Sequence, residues 1–430
     1  MTPKDYVASM KANASRRVYT EIDIPSAVTT ACQTVGLKLS DLLTELNEKD
    51  WAEFLVSYLK PRLHPVLISL LESDTVAIGT IDSPFPDASI TSMENGYAIL
   101  FSTGMREFVY RLARIIATRF SIADQSVEVE LHETARLVAE VFWWFQETNV
   151  AHGADYAINE AQRQVANNLA MEAESFLLCH EIGHIASDTP GILEELSDDL
   201  PGVDRVEHLD EFIADFFGTM FVLGTREDDQ SSADAIALQF RYAGIEFVLQ
   251  IYQCLEKIGI DFSDSHPPAA ERLAFIRNAI HRRCADEESW LGLSTIAGGI
   301  EGIFDNILAI LDSPQEHAQY YERKAAELLD DLNSALRECS GGMVPDYVSF
   351  HPLAGKIFAR GYPEFVIERV AQVAADFFVD VYAEDQEDAG DSSEQWIRLQ
   401  QFKLLLSFVQ KMPEGAVKER FMAALGCPVE

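Results

Sequence analysis

Basic residues are scarce in this chain. Thirty-three Lys and Arg face 70 Asp and Glu, a formal net charge of −37. Phosphate backbones and anionic membrane surfaces need clustered Lys and Arg, so nucleic acid is excluded as an expected partner. A basic or neutral protein remains compatible with this acidic surface. Cysteine is also rare. Cys32, Cys179, Cys254, Cys284, Cys339 and Cys427 are far apart and form no C-x-x-C pair, which fits neither a disulfide scaffold nor a thiolate metal site. No run reaches the ~18 uninterrupted apolar residues of a membrane span, and "MTPKDYVASMKANASRR" lacks the apolar core of a secretory signal. The expectation is a reduced, soluble, cytoplasmic protein with no membrane span.

What is present is apolar surface in helical rhythm. Hydrophobic residues make up 48% of the 430, enough for a large core and two or three domains. Apolar positions recur at three and four spacing in "KDWAEFLVSYLKPRLHPVLISLLES", "FVYRLARIIATRF" and "EFVLQIYQCLEKIGI". The β-rich segments "TVAIGTI" and "GYAILFSTG" stand apart, separated by the breaker "DSPFPD". The expected class is α+β, predominantly helical with a small sheet. We divide the chain into an N-terminal helical region (1–74), a core (75–288) and a C-terminal helical region (289–430). "TREDDQSSAD" and "AEDQEDAGDSSEQ" read as solvated acidic loops.

Within the core, "FLLCHEIGHIASD" lies in a run of good helix formers from Asn159 to Ser187. His180 and His184 are about one turn apart, so both imidazoles leave one helix face and can bind one Zn²⁺. Glu181 points slightly aside, placed to take a proton from water at the metal. Cys179 reads as a small buried residue. Gly183 costs the helix about 1 kcal/mol relative to Ala, which signals close packing or a site.

The segment "VEHLDEFIADFFGTMFVLG" reads as a second helix, with Asp204 as cap and Glu207 three positions on. Glu211 and Asp215 are one turn apart among Phe212, Ile213, Phe216, Phe217 and Phe221. Two like charges at that spacing repel, and burial raises the cost unless a cation resolves it. The simplest arrangement makes Glu211 the third metal ligand. Asp215 then accepts the remaining ring N–H of a ligand histidine. Two histidines and one carboxylate leave a fourth position for water, as catalytic zinc sites do. His208 is a rival ligand, whereas a third histidine soon after the first pair is ruled out by Pro190.

In "DSHPPAAERLAFIRNAI" a further helix begins, with Pro267 suited to its first position. Of the three His-Pro dipeptides only His266 has an arginine six residues on. His266 is a candidate oxyanion donor, and Arg272 a candidate for holding that loop or a substrate carbonyl.

In order and spacing, "HEIGH", "EFIAD" and "HPPAAER" resemble a gluzincin-type zinc metallopeptidase, of the family containing the CaaX prenyl protease and the bacterial heat-shock membrane protease. "GYAILFSTGMREFV" resembles that family's strand and turn ahead of the metal helix, which implies a zincin-like core and a substrate peptide paired to that strand as a sheet edge. The resemblance covers about residues 90–285. Those relatives are largely membrane-embedded and this chain is expected to have no span, so a soluble branch near the Lit-type phage-exclusion peptidases is implied. The expected function is zinc-dependent hydrolysis of protein or peptide substrates. Glu181 would be the base and His180, His184 and Glu211 the ligands. Latency, defence and a regulatory partner acting through the helical flanks fit this reading. The alternative is an inactive zincin-fold binding or sensing protein.

Overall fold

The computed structural model describes residues 1–13, 50–83, 86–120, 131–148, 151, 158–189, 191–192, 208–224, 234–260, 266–320 and 323. Asp204, Glu207, the acidic segments 225–233 and 383–395, and nearly everything after residue 320 lie outside them. Among the described residues the chain is mostly helical with one three-stranded sheet, the α+β class expected. It forms two compact units. One comprises Met1–Val138, Asn149–Ala151 and Tyr156–Leu308, the other Ala139–Thr148, His152–Asp155 and Ala309–Glu430. In the second unit Trp143 packs on His317 and Tyr320, with centroids 5.1 and 5.2 Å away. Arg323 donates to Glu140 at 2.8 Å.

In the first unit, helix α1 (Pro3–Asn13) covers the sheet through Val7, which packs with Ala98 and Leu100. The amphipathic run around Trp51 is divided by its prolines. Helix α2 (Trp51–Leu59) passes into a 3₁₀ turn at Lys60–Arg62, and α3 (Pro65–Glu72) restarts after an extended His64, because the residue before proline is driven out of the helical region.

The sheet has the order β1-β3-β2: β1 (Val76–Ile81), β2 (Ala88–Met93) and β3 (Gly96–Ser102). β1 runs parallel to β3 and β2 antiparallel, so Ile99 is flanked by Ile78 and Ile90. Two differences from the sequence reading emerge. "ASITSM" forms a strand that was not anticipated, although alternation ending in Asn95-Gly96 is a hairpin signal. The "GYAILFS" strand is central, so among the described residues the edges of the sheet are β1 and β2.

β3 leads into α4 (Thr103–Ala117), capped by Ser102 at Met105 N, 3.0 Å. Helix α5 spans Leu131–Thr148. Helix α6 (Glu160–Asp188) begins at Asn159 in a reciprocal capping box with Gln162, and it is buried around most of its circumference because α2, α4, α7 (Leu209–Leu223) and α8 (Asp234–Lys257) all pack on it. α6 and α7 approach backbone to backbone. A Cβ on Gly183 would lie 2.5 Å from the Ala214 carbonyl oxygen, and one on Gly218 3.0 Å from His180 N. At the far end of α7, Arg62 donates to the Val222 carbonyl at 2.6 Å, beside the buried pair of Tyr58 and Glu172.

Helices α9 (Ala269–Arg283) and α10 (Glu287–Leu311) complete this unit up to Leu308. Ala269 opens α9 and Pro268 is its cap, so Pro267 stands outside the helix. α10 is long and apolar enough to cross a membrane by length and composition, and a third of its most apolar window is buried. Its apolar residues are interrupted by Glu301 and Asp305. Here its Phe304 packs on Phe247 of α8, with centroids 5.8 Å apart, and Glu301 pairs with Arg277 of α9 at 2.6 Å.

Two predictions follow from this packing. Gly183→Ala gains helix propensity of about 1 kcal/mol. The added methyl meets backbone that yields only if a helix moves, a cost of about 1–3 kcal/mol, so urea unfolding shifts to lower midpoint. Glu174, 2% exposed, accepts from the Trp51 indole. Burial raises its pKa from 4.5 to about 8 against the opposing Arg106 charge and Trp51 hydrogen bond. Both states hold the proton below 4.5, and above it the unfolded chain loses the proton first. The Glu174 contribution is therefore lost as pH rises from 4.5 to about 8. Urea titrations across that range show a decline that Glu174→Gln flattens.

Candidate metal centre

α6 supplies His180, Glu181 and His184, and α7 supplies Glu211 and Asp215. His266 comes from the stretch before α9, and Arg272 from its first turn. The i,i+4 spacing puts the two α6 imidazoles on one face, with ring centroids 4.9 Å apart at 86°. The same spacing on α7 puts both carboxylates toward α6. His180 Nε2 is 3.4 Å from Glu211 Oε2, His184 Nε2 3.5 Å from Oε1, and His266 Nε2 3.2 Å from Oε2. Glu211 Oε2 is buried and, among the described residues, has no hydrogen-bond partner. An anionic oxygen left so among imidazole nitrogens suits a cation between them.

Asp215 is fully buried. Its Oδ1 meets His180 Nδ1 at 2.9 Å, while Arg272 donates through Nε to Oδ2 at 2.7 Å and through its terminal nitrogen to Oδ1 at 2.6 Å. Burial would raise the Asp215 pKa, yet Arg272 holds it below the usual carboxylate range. The ionised carboxylate accepts from Nδ1–H, which leaves Nε2 directed toward Glu211.

Arg272 thus makes a contact that the sequence reading, which had it hold the His266 loop or a substrate carbonyl, did not include. It is 4% exposed and spent on Asp215. His208 occupies the cap of α7 in the left-handed region, φ 60°. Among the described residues it belongs to neither group of donors whose atoms lie within 4.8 Å of one another. Those groups are His180, Glu211 and His266, and His184, Asp210 and Glu211.

Charge and burial shape the rest. Burial works against protonation of His180, but the Asp215 and Glu211 carboxylates prevail and lift its pKa to about 9, so a cation and a proton compete for this ring. Glu181 is 8% exposed, and burial raises its pKa to about 7 despite the His180 charge, helped by Glu211 and Asp87. Burial lowers both His184 and His266. Sequence reading missed Asp210, adjacent to Glu211, and Asp87. It also missed Tyr252, whose ring lies 5.5 Å from the Arg272 guanidinium. Adjacency could have flagged Asp210, but nothing local marks the other two.

Residues 126–291 match the family model described as Peptidase U49. The match is to a peptidase family. It spans every site residue named from the sequence and supports a hydrolase acting on peptide bonds. No curated protein matches the chain, and no solved structure matches it.

Removing Arg272 leaves a buried anion without its partner. Arg272→Met is expected to destabilise by roughly 3–5 kcal/mol in urea unfolding, since a broken buried pair strands the remaining charge. Adding Asp215→Asn recovers part of that loss.

Proposed function

We propose that this protein is a zinc-dependent endopeptidase with a zincin-like core. The observation that carries the reading is the convergence of three imidazole Nε2 atoms on the buried, unbonded Glu211 carboxylate, beside Glu181. The peptidase-family match over the same residues supports it. His180, His184 and Glu211 are the ligands, and imidazole with carboxylate suits Zn²⁺. When bound, the ion polarises the scissile carbonyl and acidifies the attacking water.

The residues of the chain do the rest. Glu181 accepts the proton of the attacking water and hands it to the leaving amine. Asp215 keeps His180 in the tautomer that presents Nε2, and Arg272 keeps Asp215 ionised. His266, one-third exposed in its side chain, donates to the developing oxyanion. An extended substrate pairs through its main chain with β2, the edge strand that touches α6.

The gluzincin motifs and the acidic, cysteine-poor composition support a cytoplasmic enzyme in a soluble branch near the Lit-type peptidases. We read the regions on either side of the core as the means by which a regulatory partner holds it latent for a defence role.

Metal analysis of protein purified without added metal tests the site. Wild type is expected to carry zinc, and His184→Ala and Glu211→Gln to lose it. Glu181→Gln is expected to keep the zinc and to lose peptide hydrolysis by about 10²-fold or more. A Glu181→Gln protein that hydrolyses at the wild-type rate would refute the mechanism.

A further inference from the structure

Tyr252 has no part in the mechanism above. It stands half-buried on α8, and its ring covers the Arg272 guanidinium, whose central carbon is 5.5 Å from the ring centroid. Close helix packing brings it there. A Cβ on Gly244 would lie 2.7 Å from Ala173 N, so α8 seats on α6 with no side chain between them. Tyr252 lies about 12 Å further along α8, and Glu181 about 12 Å beyond Ala173 on α6. Burial pushes the Tyr252 phenol above its usual range, and the charges of Arg272, Glu181 and Asp215 all act on it. The two helices therefore run in the same direction, and Tyr252 arrives beside the centre.

Arg272 has more than one carboxylate within reach of its charge. It gives two donors to Asp215, at 2.7 and 2.6 Å, yet the same charge also acts on Glu181. The donors of a guanidinium lie in one plane, and its faces are weakly hydrated. A ring over one face attracts and restrains the group, and it leaves the in-plane donors to the carboxylate. A neutral phenol is also no rival anion to Asp215. Resting on the metallopeptidase reading, we propose that Tyr252 is a positioning residue. Its ring holds Arg272 on Asp215, and Asp215 in turn holds His180 Nε2 toward the metal position.

The contacts run from Tyr252 on α8 through Arg272 on α9 and Asp215 on α7 to His180 on α6. A residue that only packs would lose stability alone when its ring is removed. A residue that positions Arg272 loses more. Without the ring the guanidinium is free to lean away from Asp215, the hydrogen bond to His180 Nδ1 weakens, and the grip of Nε2 on a metal weakens with it. The ring face does this work, so phenylalanine serves as well as tyrosine.

Zinc affinity of the metal-free, full-length protein, measured by competition with a chromophoric chelator, tests this. Tyr252→Leu is expected to bind zinc about tenfold more weakly than wild type, and Tyr252→Phe to bind it as tightly as wild type. In an Arg272→Met/Asp215→Asn background no guanidinium is left to hold, and Tyr252→Leu is expected to cause no further loss. Three outcomes overturn the positioning role and leave the zinc site intact: Tyr252→Leu binding with wild-type affinity, Tyr252→Phe binding as weakly as Tyr252→Leu, or the full loss persisting in the Arg272→Met/Asp215→Asn background. Wild type binding no zinc overturns both.

Discussion

The site depends on how closely α6 and α7 approach. Gly183 and Gly218 let the two backbones meet without side chains between them. That contact sets His180 and His184 against Glu211 and Asp215. A side chain at Gly183 would wedge α6 and α7 apart and lengthen the distances between their side chains. The helix penalty of glycine is thus offset by the placement of four functional side chains. Arg272, entering from α9, neutralises Asp215 inside the protein. One carboxylate, Glu211, is then left as the anion that faces the imidazoles.

Buried acids recur along α6, and each is compensated differently. Glu172 lies against Tyr58 and Arg62, which also holds the last carbonyls of α7. Glu174 has the Trp51 indole and the Arg106 charge. Among the described residues Glu181 has no comparable partner, and burial raises its pKa to about 7. In the first two cases the charge is matched by elements packed for stability. Under the proposed function the third is the group that carries the proton.

The sheet serves this helix. α1 covers one face through Val7, and Ile99 and Phe101, fully buried, alternate to the other. Asp50 ties the layers by capping α2 and accepting from Thr80 and Lys11. With β3 paired on both sides, β1 and β2 are the edge strands. Under the proposed function the substrate pairing suggested for β3 moves to β2, which packs on α6.

By itself the sequence determined what helical spacing determines. His180 with His184 and Glu211 with Asp215 share faces because residues four apart on a helix do so in any context, and Gly183 announced a close contact because it broke a local rule. The three segments of the site were legible for the same reason, each being a short pattern. Only the tertiary structure decided how those faces combine. Arg272 meets Asp215 across 57 residues of chain, and no local signal encodes such a pairing. His266 and Asp210 become donors through the meeting of separate elements. Likewise β3 is central because β2 folds back on it, and strand order depends on which edges meet in space rather than on composition.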